Sequence, residues 1–241
     1  MEGQISTGGN IRNEIESKQN FLQRIGGMIF SPSKTIRCLI EKPRILFPFL
    51  SSAFSLLILY LLRYELYEDY IRTTLEKAAA VDTSITSEQI EALIGMSATM
   101  GLALIPITSV IIWLVSSAIL FGISKLFKGE GHFKQYLSIV GYCGVITLLY
   151  YLISFIVSFL NGELLVDASL ANVTNLFAPY LKDSFFYGII KGIDFFSIWY
   201  FILVAMGITM VSKLSKMKVY SMVTLIFIAQ LLINANELRY M

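Results

Sequence analysis

The chain has 241 residues, 56% of them hydrophobic and only 15% charged, with 2 Cys, 5 Pro and a formal net charge of +2. Soluble domains carry about 25% charged residues, so there is too little charge here to coat a water-soluble globule, and disordered, collagen-like and disulfide-scaffold classes are excluded as well. With a mean hydropathy of +0.68, the composition specifies an all-α polytopic membrane protein, because only internally hydrogen-bonded helices or closed barrels satisfy their backbone in lipid.

Residues 1–20 are polar, contain three glycines and lack a periodic apolar face; a disordered cytoplasmic tail is expected. From Phe21 the pattern changes: Phe21, Leu22, Ile25, Met28 and Ile29 recur at helical spacing. Ser31-Pro32-Ser33 opens a second short helix, with Ile36, Leu39 and Ile40 apolar. Residues 21–44 are expected to form interfacial amphipathic helices in the headgroup layer. Arg24, Lys34, Arg37, Lys42 and Arg44 would then contact anionic lipid headgroups, at about 1 kcal/mol each. The alternative is that these helices only frame the first span. The first 44 residues hold no apolar run of the roughly seven residues an export signal needs, so the first span is expected to serve as an uncleaved insertion signal.

Residues 45–241 are expected to form a bundle of five transmembrane helices. Charge-free windows run over Ile45–Leu62, Ala92–Ser124, Gln135–Gly162, Phe195–Ser212 and Val219–Asn236. About 20 apolar residues cross a bilayer core, which places the spans near 45–62, 100–124, 135–160, 195–212 and 219–236. The N-terminal segment and the loops after spans two and four hold 13 of the 19 Lys and Arg and five of the 17 acids; the other face holds six and twelve. Net charges of +8 and −6 follow. The positive-inside rule puts the N-terminus in the cytoplasm and the C-terminus outside, in a plasma (inner) membrane.

Between spans one and two, Tyr64 to Ala80 reads as a helix continuing past the membrane, and Asp82-Thr83-Ser84 breaks it. Thr86 and Gln89 have capping-box spacing, so an external helical hairpin is expected. Glu65, Glu68 and Asp69 share a helix face; either a solvated surface or a divalent-cation contact accounts for them. Residues 163–194 read as an interfacial or re-entrant segment.

Catalysis in a membrane needs a nucleophile with its base, a metal cluster or paired acids. His132 is the single histidine, Cys38 and Cys143 are far apart, and no phosphate-loop or metallohydrolase motif is present. No catalytic, cofactor or metal site is expected. A candidate polar site is Asp194 with Lys191 one turn earlier and Trp199 five residues deeper. Asp194 is read either as a functional group lining a cavity or as an interfacial acid paired with Lys191. Pro106 is expected to kink span two. Gly141-x-x-Gly144 and Gly188-x-x-x-Gly192 allow close helix approach, within the chain or in a homo-oligomer.

Three segments together resemble the Yip family of five-span membrane proteins. They are Phe30-Ser31-Pro32 with Glu41-Lys42-Pro43-Arg44; Gly129-Glu130-Gly131-His132-Phe133-Lys134-Gln135 leading to Gly141-Tyr142; and Gly192-Ile193-Asp194 with Trp199 and Gly207. The second makes Gly129, Gly131, Phe133 and Lys134 a cytoplasmic loop motif. The chain departs from the family at Val145-Ile146-Thr147, where a proline-containing helix is usual. The resemblance implies a non-enzymatic scaffold or accessory subunit binding membrane lipids and other membrane proteins, without nucleic acid. Eukaryotic members associate with Rab-type GTPases; some bacterial relatives act beside ABC-type exporters, and the short N-terminal tail resembles a bacterial member. The alternative function is a transporter, channel or lipid-handling protein using the polar site near Asp194.

Overall fold

A computed structural model describes residues 20–81, 87–162, 164, 169–171 and 184–238. The expected tail, apart from Asn20, the Thr86 capping position and most of the 163–183 segment lie outside the described residues. The regular elements of the described residues are all helices, with one isolated bridge between Ser169 and Asp194.

Asn20 is the first described residue. It caps α1 (Phe21–Phe30), with reciprocal hydrogen bonds between Asn20 and Gln23 at 2.9 and 3.0 Å. Pro32 occupies the first turn of α2 (Pro32–Glu41), where its missing N–H costs nothing. The apolar face of α2 is covered by protein: Ile36 and Leu39 are fully buried as the helix packs on α6 (Phe133–Cys143) and α9 (Phe195–Ser212). Lys34, Arg37, Lys42 and Arg44 stay exposed, whereas Arg24 is half-buried.

Helix α3 (Leu46–Leu62) ends at Arg63, and α4 (Tyr64–Val81) leaves at 92° to it. The expected straight continuation is therefore corrected to a right-angle turn. Arg63 holds the corner: its guanidinium donates to Ser158 O at 3.0 Å and lies 4.2 Å over the Phe159 ring. Helix α4 then packs on the early turns of α5 (Ser87–Leu126). Tyr67 is buried and Arg72 pairs with Glu91.

Pro106 sits inside α5, and the helix runs unbroken through it. In the third apolar segment Gly144 divides α6 from α7 (Val145–Asn161), its N–H shared between Val140 O and Gly141 O. Glycine thus supplies the interruption that proline does not. Helix α8 (Phe185–Lys191) lies against α10 (Lys216–Leu238). Four helical stretches are long and apolar enough to cross a membrane, and the bent α3–α4 pair makes up to five.

The α6–α7 segment is the hub. Helix α3 pairs with α5 on one flank and α9 with α10 on the other, while α6 touches α3, α5, α9 and α2. The main core lies around α6, where Tyr136, Ile139, Val140, Tyr142 and Cys143 are all but inaccessible. Beyond Gly144, α5 makes no substantial contact with α7 or α10 among the described residues. The bundle is thus closed at the basic-loop end and splayed at the opposite one.

Candidate functional site

The splay encloses a cavity of about 810 Å3, lined from α3, α5, α6, α7, α9 and α10 and by Lys191 and Asp194 at its mouth. Its floor is apolar: Leu120, Val140, Val204 and Val223 line it and belong to the buried core. From Asp194 to Val204 the wall of α9 descends about 15 Å at 1.5 Å per residue.

Hydroxyl and amide groups cover much of the wall between mouth and floor. Serine and threonine within apolar helices usually satisfy their hydroxyls on the carbonyl one turn back. Ser117, Thr108, Thr209 and Ser212 do so here, on Trp113, Leu104, Ala205 and Ile208. Ser55, Ser109, Ser116, Thr147 and Gln230 instead line the cavity with no side-chain hydrogen bond among the described residues. Such groups at membrane depth require water or a polar ligand, because an unpaired hydroxyl in an apolar medium costs about 2–7 kcal/mol.

Asp194 is the N-cap of α9. Its Oδ1 accepts from Phe196 N at 2.8 Å and Ser197 N at 3.0 Å, and its Oδ2 accepts from the Ser197 hydroxyl. It forms no ion pair with Lys191, so the expected pairing is replaced by helix capping. Lys191, at the end of α8, is exposed and has no ion-pair partner among the described residues. The bridge partner Ser169 is buried beside them, and Leu170 N donates to Ile193 O at 2.9 Å. Trp199 is half-buried against Phe195, at 5.4 Å between ring centroids, and does not line the cavity. Trp113 does, donating Nε1–H to Leu137 O at 3.1 Å.

The other sequence-selected residues lie elsewhere. Arg24, Lys34, Arg37, Lys42 and Arg44 belong to the N-terminal segment at the closed end. Gly129 and Gly131 sit in the turn between α5 and α6, which clasps the end of α9, and Phe133 and Lys134 open α6 directly after it. Glu130 N donates to Ser212 O at 2.8 Å, Tyr136 OH donates to Glu130 O at 3.1 Å, and Lys213 pairs with Glu130 at 2.6 Å. Gly131 has φ +85°, and a Cβ there would meet Val211 Cγ2 at 2.8 Å. Phe133 packs on Phe121 at 5.5 Å, while Lys134 is exposed. This motif closes the bundle. No group of three or more His, Cys, Asp or Glu able to hold a metal occurs among the described residues.

Sequence reasoning missed the hydroxyl wall. Its signal was present in Ser51 and Ser55, and in Ser109 and Ser116, spaced at four and seven residues on one helix face. Both small-residue motifs are used within the chain: Gly141 faces Pro48 and Trp113, and Gly188 and Gly192 face Ala235 and Leu231.

A model of the Yip1 domain matches residues 26–235; the chain belongs to the Yip1 family and is a multi-pass membrane protein. No curated protein and no solved structure matches it.

Proposed function

We propose that this Yip1-family chain is a non-enzymatic lipid-handling protein of the plasma (inner) membrane, taking lipid headgroups into the chamber between its spans. The observation that carries this reading is the row of Ser55, Ser109 and Ser116 around one chamber without hydrogen-bond partners among the described residues. A lipid is favoured over a wholly soluble solute because the chamber wall continues onto the outer surface of α5. Ile112 and Ile119 line the chamber yet are 65% and 46% exposed. Acyl chains can stay in the bilayer there while a headgroup enters. With the basic end cytoplasmic by the positive-inside rule, the mouth at Asp194 faces the external leaflet.

The test is native mass spectrometry of the full chain, delipidated and then titrated with phospholipid. One lipid per chain is expected, and a Ser55→Leu/Ser116→Leu variant that fills the chamber should lose it while keeping its melting temperature. Absence of stoichiometric lipid on the wild type overturns the reading.

A second reading, an accessory subunit beside another membrane protein such as an ABC-type exporter, draws on α5. Ala118 and Gly122 lie one turn apart on its exposed side, and a Cβ at Gly122 would meet nothing within 4 Å. Small residues on an outward face permit close approach of another helix. Crosslinking and purification in mild detergent should recover a partner, lost in Gly122→Leu; recovery of the chain alone, or only as a homo-oligomer, removes the exporter assignment.

A further inference from the structure

The mouth of the chamber carries two opposite charges that form no ion pair with each other. Lys191 and Asp194 both line it, and neither forms an ion pair among the described residues. Charges near a bilayer are costly unless paired or hydrated. A ligand that supplies an anion to one and a cation to the other resolves both.

We infer that the chamber selects lipids whose headgroup carries a phosphate and a primary ammonium, the phosphoethanolamine type; this rests on the lipid-handling reading. The donor and acceptor inventory decides the selection. Lys191 offers an ammonium with three N–H donors to a phosphate. Asp194 uses Oδ1 for two backbone N–H groups and one acceptor position of Oδ2 for Ser197. A carboxylate has about four acceptor positions in all, so one remains on Oδ2. It fits one N–H of a primary ammonium, with the charges attracting.

The competing headgroups each fail one condition. A quaternary choline ammonium has no N–H to donate. A glycerol headgroup has no cation for Asp194, so that carboxylate faces the phosphate unneutralised. A serine headgroup adds a second carboxylate beside the first. A neutral diacylglycerol offers nothing to Lys191. The headgroup would sit at the mouth, with its glycerol oxygens toward Ser55, Ser109 and Ser116 and its chains leaving past Ile112 and Ile119.

The experiment titrates the delipidated full chain with phosphatidylethanolamine, phosphatidylcholine, phosphatidylglycerol and diacylglycerol, and separately with free phosphoethanolamine. We expect phosphatidylethanolamine to bind at least five-fold more tightly than the other two phospholipids, and diacylglycerol more weakly still. Free phosphoethanolamine should compete only at concentrations a hundred-fold higher. Asp194→Asn keeps an N-cap acceptor and fold but should abolish the preference for phosphatidylethanolamine. Lys191→Gln should weaken all three phospholipids about ten-fold and leave diacylglycerol unchanged.

Equal binding of all three phospholipids, or an unchanged preference in Asp194→Asn, overturns this selectivity while leaving lipid handling intact. Free phosphoethanolamine binding as tightly as the lipid makes the site one for a soluble solute and overturns both. Failure to retain any lipid overturns lipid handling itself, and the selectivity with it.

Discussion

Gly141 of α6 receives Pro48 of α3 so closely that a Cβ on the glycine would lie 2.2 Å from Pro48 Cβ and 2.8 Å from Trp113 Nε1. The proline ring cannot rotate away, and Trp113 is held by its bond to Leu137 O. This contact draws α3 and α5 onto the hub within the chamber wall itself, since Gly141, Pro48 and Trp113 all line the cavity. Gly141→Ala should therefore destabilise the protein by about 1–3 kcal/mol, the usual cost of overpacking. Thermal melting in detergent checks it, with Gly122→Ala as the paired variant. That position has open space and should keep or slightly raise the melting temperature.

At the closed end, Gly131 and the Glu130–Lys213 pair should respond very differently. Gly131→Ala must adopt φ +85° against Val211, costing about 1–2 kcal/mol for the left-handed backbone alone. Lys213→Ala removes a pair whose side chains are 70% and 59% exposed, for which roughly 0–1 kcal/mol is expected. Comparable losses in both variants, measured by unfolding in detergent, would show that the clasp depends on the charge pair.

The capping role of Asp194 separates from its charge. Asp194→Ala should lose about 0.5–2 kcal/mol, the cost of an N-cap, and Asp194→Asn very little. Equal melting temperatures for Asp194→Ala and wild type would contradict the cap.

Two groups of serines should also behave oppositely. Ser138 accepts from Arg44 N and donates to Arg44 O, both at 3.0 Å. Its replacement by alanine leaves both backbone groups unpaired, for a loss of about 1–3 kcal/mol. Ser55, Ser109 and Ser116 bond to nothing in the described chain, so the triple alanine variant should melt within a few degrees of wild type. A collapse of that variant would mean the hydroxyls support packing instead of facing a ligand.

The proposed direction of insertion predicts one-sided labelling. Cys38 and Cys143 are buried and should resist a membrane-impermeant maleimide in intact cells. Lys128→Cys should also resist it until the membrane is opened, whereas Thr73→Cys should label at once. The reverse pattern would invert the protein.

Much of the molecule follows from local sequence, because hydropathy and loop charge are sums over neighbouring residues. The apolar windows mark the stretches that become α3, α5, α6–α7, α9 and α10; the Lys-Arg asymmetry carries the proposed orientation; and the spaced motifs around Pro32, Gly131 and Asp194 identify the family. What only the tertiary structure decided is how those helices are rotated and splayed. A helix apolar on every side carries no pattern that says which face turns inward. The sequence therefore pointed to Trp199 beside Asp194, although of the two tryptophans it is Trp113 that lines the chamber. It also left the two glycine motifs divided between internal packing and self-association. The chamber itself exists because α5 and α10 do not pack on each other among the described residues, which leaves Ser55, Ser116, Asp194 and Gln230 around one space. That proximity is a property of packing between distant segments, and no local sum over the chain contains it.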